Sequence, residues 1–203
     1  LDEAANPEWK TVAVDEASGE LVTPLGSIGF RWGDKGKWNL EERTGSGKDV
    51  RLAMSLADRI SVMNQGRIVQ AATPVEVYRN PAARFVGSFI GHPPMNFIPA
   101  TRIAEGKWQV AGLTLDGPAI AADKLEFAIR PEDLTVAPGG LRAFTRIVEP
   151  LAAHTLVTCE VNGMPFRAVL DSDVKVAPGD ELSLLPKAER IRWFDLETAK
   201  AAA

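Results

Sequence analysis

The residues best placed to do chemistry form one short run, Thr44-Gly45-Ser46-Gly47-Lys48-Asp49-Val50. A Gly-Lys pair after a glycine-rich turn is how a phosphate loop holds a nucleotide. Backbone N–H groups cradle the phosphates, the lysine reaches the terminal ones, and a following Ser or Thr hydroxyl holds Mg²⁺. The pattern G-x-x-x-x-G-K-[ST] puts its first glycine at position 42 and its hydroxyl at position 49, but the chain has Glu42 and Asp49 there. A carboxylate at 42 repels phosphate instead of turning the chain. The preceding KWNLEER is not a buried apolar strand either. The run therefore reads as a flexible Gly/Ser loop, and no nucleotide-binding residue is assigned.

Other reactive types are sparse. Cys159 is the single cysteine, which excludes an internal disulfide and a cysteine-built cluster. Its setting, TLVTCEV, suggests a small buried core residue. His92 and His154 lie far apart, with no partner at ligand spacing, so they read as structural or surface residues. No metal site and no catalytic residue is assigned. A net charge of −4 argues against nucleic acid held on a general positive surface. No apolar run approaches the ~20 residues of a membrane span, and the acidic opening Leu1-Asp2-Glu3 does not resemble a signal peptide. A reducing cytoplasm is the simplest compartment.

The elements that would position any site fall into three textures. Residues 1–50 are rich in Gly, Lys, Glu and Trp. There WKTVAVDEASGELVTP reads as a hairpin turning at Ala17-Ser18-Gly19, and little buries a core. In residues 51–93, RLAMSLADR is spaced for a helix face, and ISVMNQGRIVQ for a hairpin around Asn64-Gln65-Gly66. Thr73, Pro74 and Glu76 then fit an N-cap, a first-turn proline and a capping box. AARFVGSFIG sets Phe85, Val86 and Phe89 on one helical stripe, read as a core face before a partner-docking face. From 94 to 200, short alternating runs recur between turns such as Asp116-Gly117-Pro118, Pro138-Gly139-Gly140 and Asn162-Gly163. Eight such runs predict a small barrel, for which a five-stranded OB-type fold fits the length. The tail AKAAA is expected to fray.

The second and third regions carry a family resemblance. AMSLADRISVMNQGRIVQAATPVEVYRNPAARFVGSFIGHPPMNFIPA resembles the end of the nucleotide-binding domain in ATPase subunits of carbohydrate-type ABC importers, the maltose and glycerol-3-phosphate group. FAIRPEDLTV, IVEPLAAHTLVTCEVNG and ERIRWFDLETAK resemble the regulatory C-terminal TOBE domain of the same subunits, an OB-type barrel. The resemblance spans about residues 53–200. It implies permease subunits at the inner membrane as partners, a homodimer through the C-terminal domain, and a cytoplasmic location peripheral to that membrane. ATP and Mg²⁺ are implied only for the full-length family. The switch histidine expected just upstream of Ala53 is missing from SGKDVRL. No LSGGQ and no four-residue apolar run ending in Asp-Glu occurs. The chain is thus expected to lack ATP hydrolysis and to hold no cofactor. Where the family carries Gly and a polar or acidic residue in the EPLAAHTLV loop, this chain has Ala152, Ala153 and His154.

NPEWKTVAVDEASGELVTPLGSIGFRWGDKGKWNLEE resembles an unrelated protein, an internal stretch of the respiratory nitrate reductase α subunit. It carries no assignable molybdopterin ligand. The chain reads as a join near Lys48–Met54, its two sides resembling different proteins. An oxyanion-binding OB domain is a third reading.

The expectation is a mainly β protein with a small α/β N-terminal part and a C-terminal OB-type (TOBE) barrel. Its candidate structural or interaction residues are Arg130, Pro131, Glu132, Phe85 and Phe89. Arg130-Pro131-Glu132-Asp133 follows the strand LEFAI, and Pro131 should fix a turn that ties off that strand.

Overall fold

The structure, a computed structural model, describes residues 54–202 apart from 56, 65 and 66, together with the backbone of five short strands before residue 40. The Gly/Ser loop at 44–50 lies outside the described residues, as do the side chains of the nitrate-reductase-like stretch. The chain divides into two compact units, Leu1–His92 and Pro93–Ala203. It is mainly β, with its α-helices confined to the first unit among the described residues, as expected.

In the first unit, β1 (Thr11–Val14) and β2 (Glu20–Thr23) pair antiparallel, the hairpin that the alternation predicts. β3 (Gly26–Gly29) joins β2, and β4 (Arg31–Trp32) pairs with β5 (Trp38–Asn39). β6 (Arg59–Asn64) lies parallel to β1 and antiparallel to β7 (Arg67–Ala72), giving the sheet order β3-β2-β1-β6-β7. Met54 and Ser55 are helical, but Asp58 lies in a bend and Arg59 already belongs to β6, so the expected helix does not reach the end of RLAMSLADR.

Helix α1 (Pro74–Arg79) starts where its sequence says it should. The Thr73 hydroxyl accepts from the Glu76 N–H at 3.3 Å, and Pro74 fills the first turn. The Glu76 carboxylate accepts instead from the Asn80 side chain at 3.0 Å, tying the helix start to its end. Helix α2 (Arg84–Phe89) buries Val86. Ala57, Ile60, Val62, Val77, Val86 and Ile90 form this unit's core. Gln70 holds the connection between the helices with both ends of its amide. It donates to the Asn80 carbonyl at 2.9 Å and accepts from the Ala82 N–H at 2.8 Å.

The second unit is built from two sheets. One has the order β10-β9-β8-β11-β16, from β8 (Asn96–Ala104), β9 (Lys107–Val110), β10 (Leu113–Asp116), β11 (Lys124–Ile129) and β16 (Arg192–Asp195). The other has the order β14-β13-β12-β15, from β12 (Leu134–Leu151), β13 (His154–Val161), β14 (Met164–Asp171) and β15 (Glu181–Pro186). Neighbours in both sheets are antiparallel. Strict alternation on β13 sends Thr155, Val157, Cys159 and Val161 inward. The core joins both sheets through Ile98, Trp108, Leu125, Phe127, Phe166 and Leu184. Trp193 lies over Trp108 at 5.7 Å between ring centroids and meets Phe127 edge-on at 5.9 Å.

Three readings need correction. KWQVAGLTL is two strands, not one run, because Ala111-Gly112 makes a two-residue turn with φ of 47° and 90°. Pro138-Gly139-Gly140 does not end a strand. It is absorbed in β12 as an irregularity between Val136 and Leu141, where Gly140 passes against the Leu184 backbone too closely for any Cβ. The tail is not frayed through Ala202. Phe194 bridges Ala201, and the Ala202 N–H donates to the Trp193 carbonyl at 2.8 Å, lining the outer edge of β16.

Candidate functional site

The candidate site is the corner at the end of β11. This strand lies between β8 and β16, so both of its edges are paired, and side chains pack against both of its faces. Leu125, Phe127 and Ile129 enter the main core. Glu126, Ala128 and Arg130 alternate onto the other face, where Ala128 packs with Met95, Phe97 and Phe194. This is why KLEFAI shows no inside–outside alternation: five of its six residues are buried. Arg130 is 2% exposed. Its burial was not legible from a sequence in which it looks like a strand-ending surface cation.

Pro131 then opens a 3₁₀ turn, Pro131–Asp133, and is itself buried. Its fixed φ suits the first position of the turn, where a missing N–H costs nothing. The Asp133 N–H closes the turn on the Arg130 carbonyl at 3.0 Å, and the Asp133 carbonyl accepts from the Lys187 N–H at 3.0 Å. A second 3₁₀ turn, Ala188–Arg190, follows Lys187. The corner thereby bonds the strand leaving one sheet to the strand leaving the other.

Charge gathers there. The Asp133 carboxylate lies 3.9 Å from Lys187 Nζ and 3.9 Å from Arg190 Nε, and its side chain is only 18% exposed. Burial, with help from the neighbouring Glu132 charge, raises its pKa above the ordinary aspartate value. Lys187, Arg190 and Arg130 pull the other way without overcoming it. Lys187 Nζ also donates to the Glu132 carbonyl at 3.5 Å, and Glu132 itself faces solvent.

Arg130, Pro131 and Glu132 are thus brought together. Phe85 and Phe89 belong to the first unit, half-buried on α2 and stacked at 5.5 Å with an interplanar angle of 11°. Lys187 and Arg190 were not singled out from sequence, since more than fifty positions separate them from Asp133. Asn96 was missed as well. It is 6% exposed and holds the Arg167 backbone by two bonds, although an asparagine opening an apolar strand is itself a signal that its amide has partners.

A second surface lies on the outer face of the four-stranded sheet. Phe144, Ile147 and Leu151 pair with Glu160, Thr158 and His154, the outward residues of β13. These three apolar side chains are about half exposed. Ion pairs Arg142–Glu181 and Arg146–Glu160, at 2.9 and 2.8 Å, flank them. Cys159 points the opposite way, into the core, where burial raises its pKa. Among the described residues, no group of three or more His, Cys, Asp or Glu side chains converges as a metal site would. No helix among them is long and apolar enough to cross a membrane. The corner is a mixed-charge cluster in which Arg130 and Pro131 are buried and Glu132 and Lys187 face solvent.

Compared with known proteins, residues 127–194 match the family model of the TOBE domain. That span lies within the second unit, running from the middle of β11 through the corner to β16, and marks a TOBE domain there. The chain is similar to an uncharacterized ABC transporter ATP-binding protein of Sinorhizobium fredii, with 38% identity over 74% of this chain and 43% of that protein. It is similar also to sn-glycerol-3-phosphate import ATP-binding proteins UgpC. The one from Cupriavidus metallidurans is 35% identical over 73% of this chain and 45% of its own length, and the one from Vibrio vulnificus YJ016 is 40% identical over 70% and 41%. The chain spans less than half the length of these relatives. Among solved structures, the cytoplasmic molybdate-binding protein ModG with molybdate bound aligns at a TM-score of 0.39 and 14% identity, over 48% of this chain and 94% of that one. So slight a likeness says nothing about a ligand here.

Proposed function

We propose that this chain is the C-terminal regulatory and interaction portion of an ATP-binding subunit from an ABC importer of sugars or related solutes, and that it does not hydrolyse ATP by itself. One observation carries the reading. The similarity to ATP-binding subunits covers up to 74% of the chain, more than the second unit alone can supply, so it takes in part of the first unit as well. A TOBE barrel alone would support a broader class of domain. A barrel preceded by Asp58–Phe89, in the arrangement of hairpin, capped helix and second helix, supports this narrower one.

In that role the chain needs no cofactor. Its partners are the permease subunits of the importer, at the cytoplasmic face of the inner membrane, and a second copy met through the TOBE domain. The exposed charges of the corner, Glu132 and Lys187, and the outer face of β12 are the surfaces such contacts would use. The solute is set by the rest of the transporter, and sn-glycerol-3-phosphate is the one named for the similar UgpC proteins.

Two measurements on the purified chain test this. Phosphate release with Mg²⁺-ATP should stay at the level of the buffer, and light scattering should show a concentration-dependent dimer. ATP turnover that scales with protein concentration overturns the first part. A strict monomer at high concentration overturns the self-association.

A further inference from the structure

We draw no further inference here: the strongest candidate, the exposed apolar row Phe144, Ile147 and Leu151 on the outer face of β12, carries nothing beyond the proposed self-association because nothing in the structure shows what covers it.

Discussion

The side chain of Asn96 takes the place of a strand beside Arg167. Its amide donates to the Arg167 carbonyl at 2.7 Å and accepts from the Arg167 N–H at 2.8 Å, seventy-one positions along the chain. Arg167 sits on β14, the edge of the four-stranded sheet, and Asn96 opens β8 of the other sheet. One side chain therefore closes a gap in the barrel that backbone pairing leaves open.

Removing that amide should cost more than an ordinary surface hydrogen bond. Asn96→Ala leaves an N–H and a carbonyl without their partner in a mostly buried place, where each unsatisfied group costs about 1–3 kcal/mol. The expected loss is about 3 kcal/mol, seen as a lower urea midpoint with an unchanged slope. Asn96→Asp, which keeps the acceptor but sets a carboxylate against the Arg167 carbonyl, should be no better. A midpoint within error of the parent protein would show that the barrel closes without this clamp.

Alanine sits in the left-handed region at three described positions, Ala111, Ala152 and Ala199, the first two in turns between paired strands. Ala152, between β12 and β13, has φ 57°, and Ala111, between β9 and β10, has φ 47°. Crowding of Cβ against the following carbonyl costs roughly 1–2 kcal/mol there, partly offset in a glycine variant by greater freedom of the unfolded chain. Ala152→Gly should stabilise by about 1 kcal/mol and raise the melting temperature. The sister turn Asn162-Gly163 already uses residues suited to this geometry, with φ of 50° and 78°. A fall in melting temperature would mean that Ala152 is held by packing that outweighs its backbone strain.

Gly140 should tolerate no side chain. A Cβ there would overlap the Leu184 carbonyl carbon and oxygen, and backbone in a paired strand cannot step aside. Gly140→Ala is expected to cost about 3 kcal/mol, the upper range of overpacking. Gly139→Ala is a useful contrast: it meets no neighbouring atom within 4 Å, and its only penalty is its φ of 80°. Thermal unfolding of both variants should rank Gly140→Ala well below Gly139→Ala, and the reverse order would contradict the close approach.

Asp133 gives the corner a pH dependence of definite sign. Its folded pKa is raised, first by burial and then by Glu132. A raised folded value means that the folded state holds the proton more tightly. The contribution to stability is then fully present below the unfolded aspartate pKa and is lost as pH rises through the raised folded value. Asp133→Asn should remove this slope. The parent protein should lose stability relative to the variant as pH climbs out of the acid range, read from urea midpoints at a series of pH values. A parent that instead gains on the variant over that window would mean that Lys187 and Arg190 dominate after all.

The sequence was most legible where local rules and tertiary needs coincide. The period-2 run HTLVTCEV became β13 without a change of boundary, and Thr73 caps α1 as its spacing says. It was least legible where distant residues decide. KLEFAI hides its role because both faces of β11 are covered, which erases alternation. Gly140 looks like part of a turn because glycine marks turns and close approaches alike, and only Leu184 tells them apart. The charged corner could be seen only in half. Arg130, Pro131 and Glu132 stand together in sequence, whereas Lys187 and Arg190 arrive through the fold of β12 to β15.

The TOBE domain is proposed to belong to the ATP-binding subunit of an importer. The most direct test is a chimera in which residues 93–203 replace the matching segment of UgpC from Cupriavidus metallidurans, assayed in cells for uptake of labelled sn-glycerol-3-phosphate. Uptake should be well above that of cells lacking UgpC, with Mg²⁺-ATP hydrolysis by the purified chimera retained. A chimera that folds and hydrolyses ATP but restores no uptake would contradict this assignment.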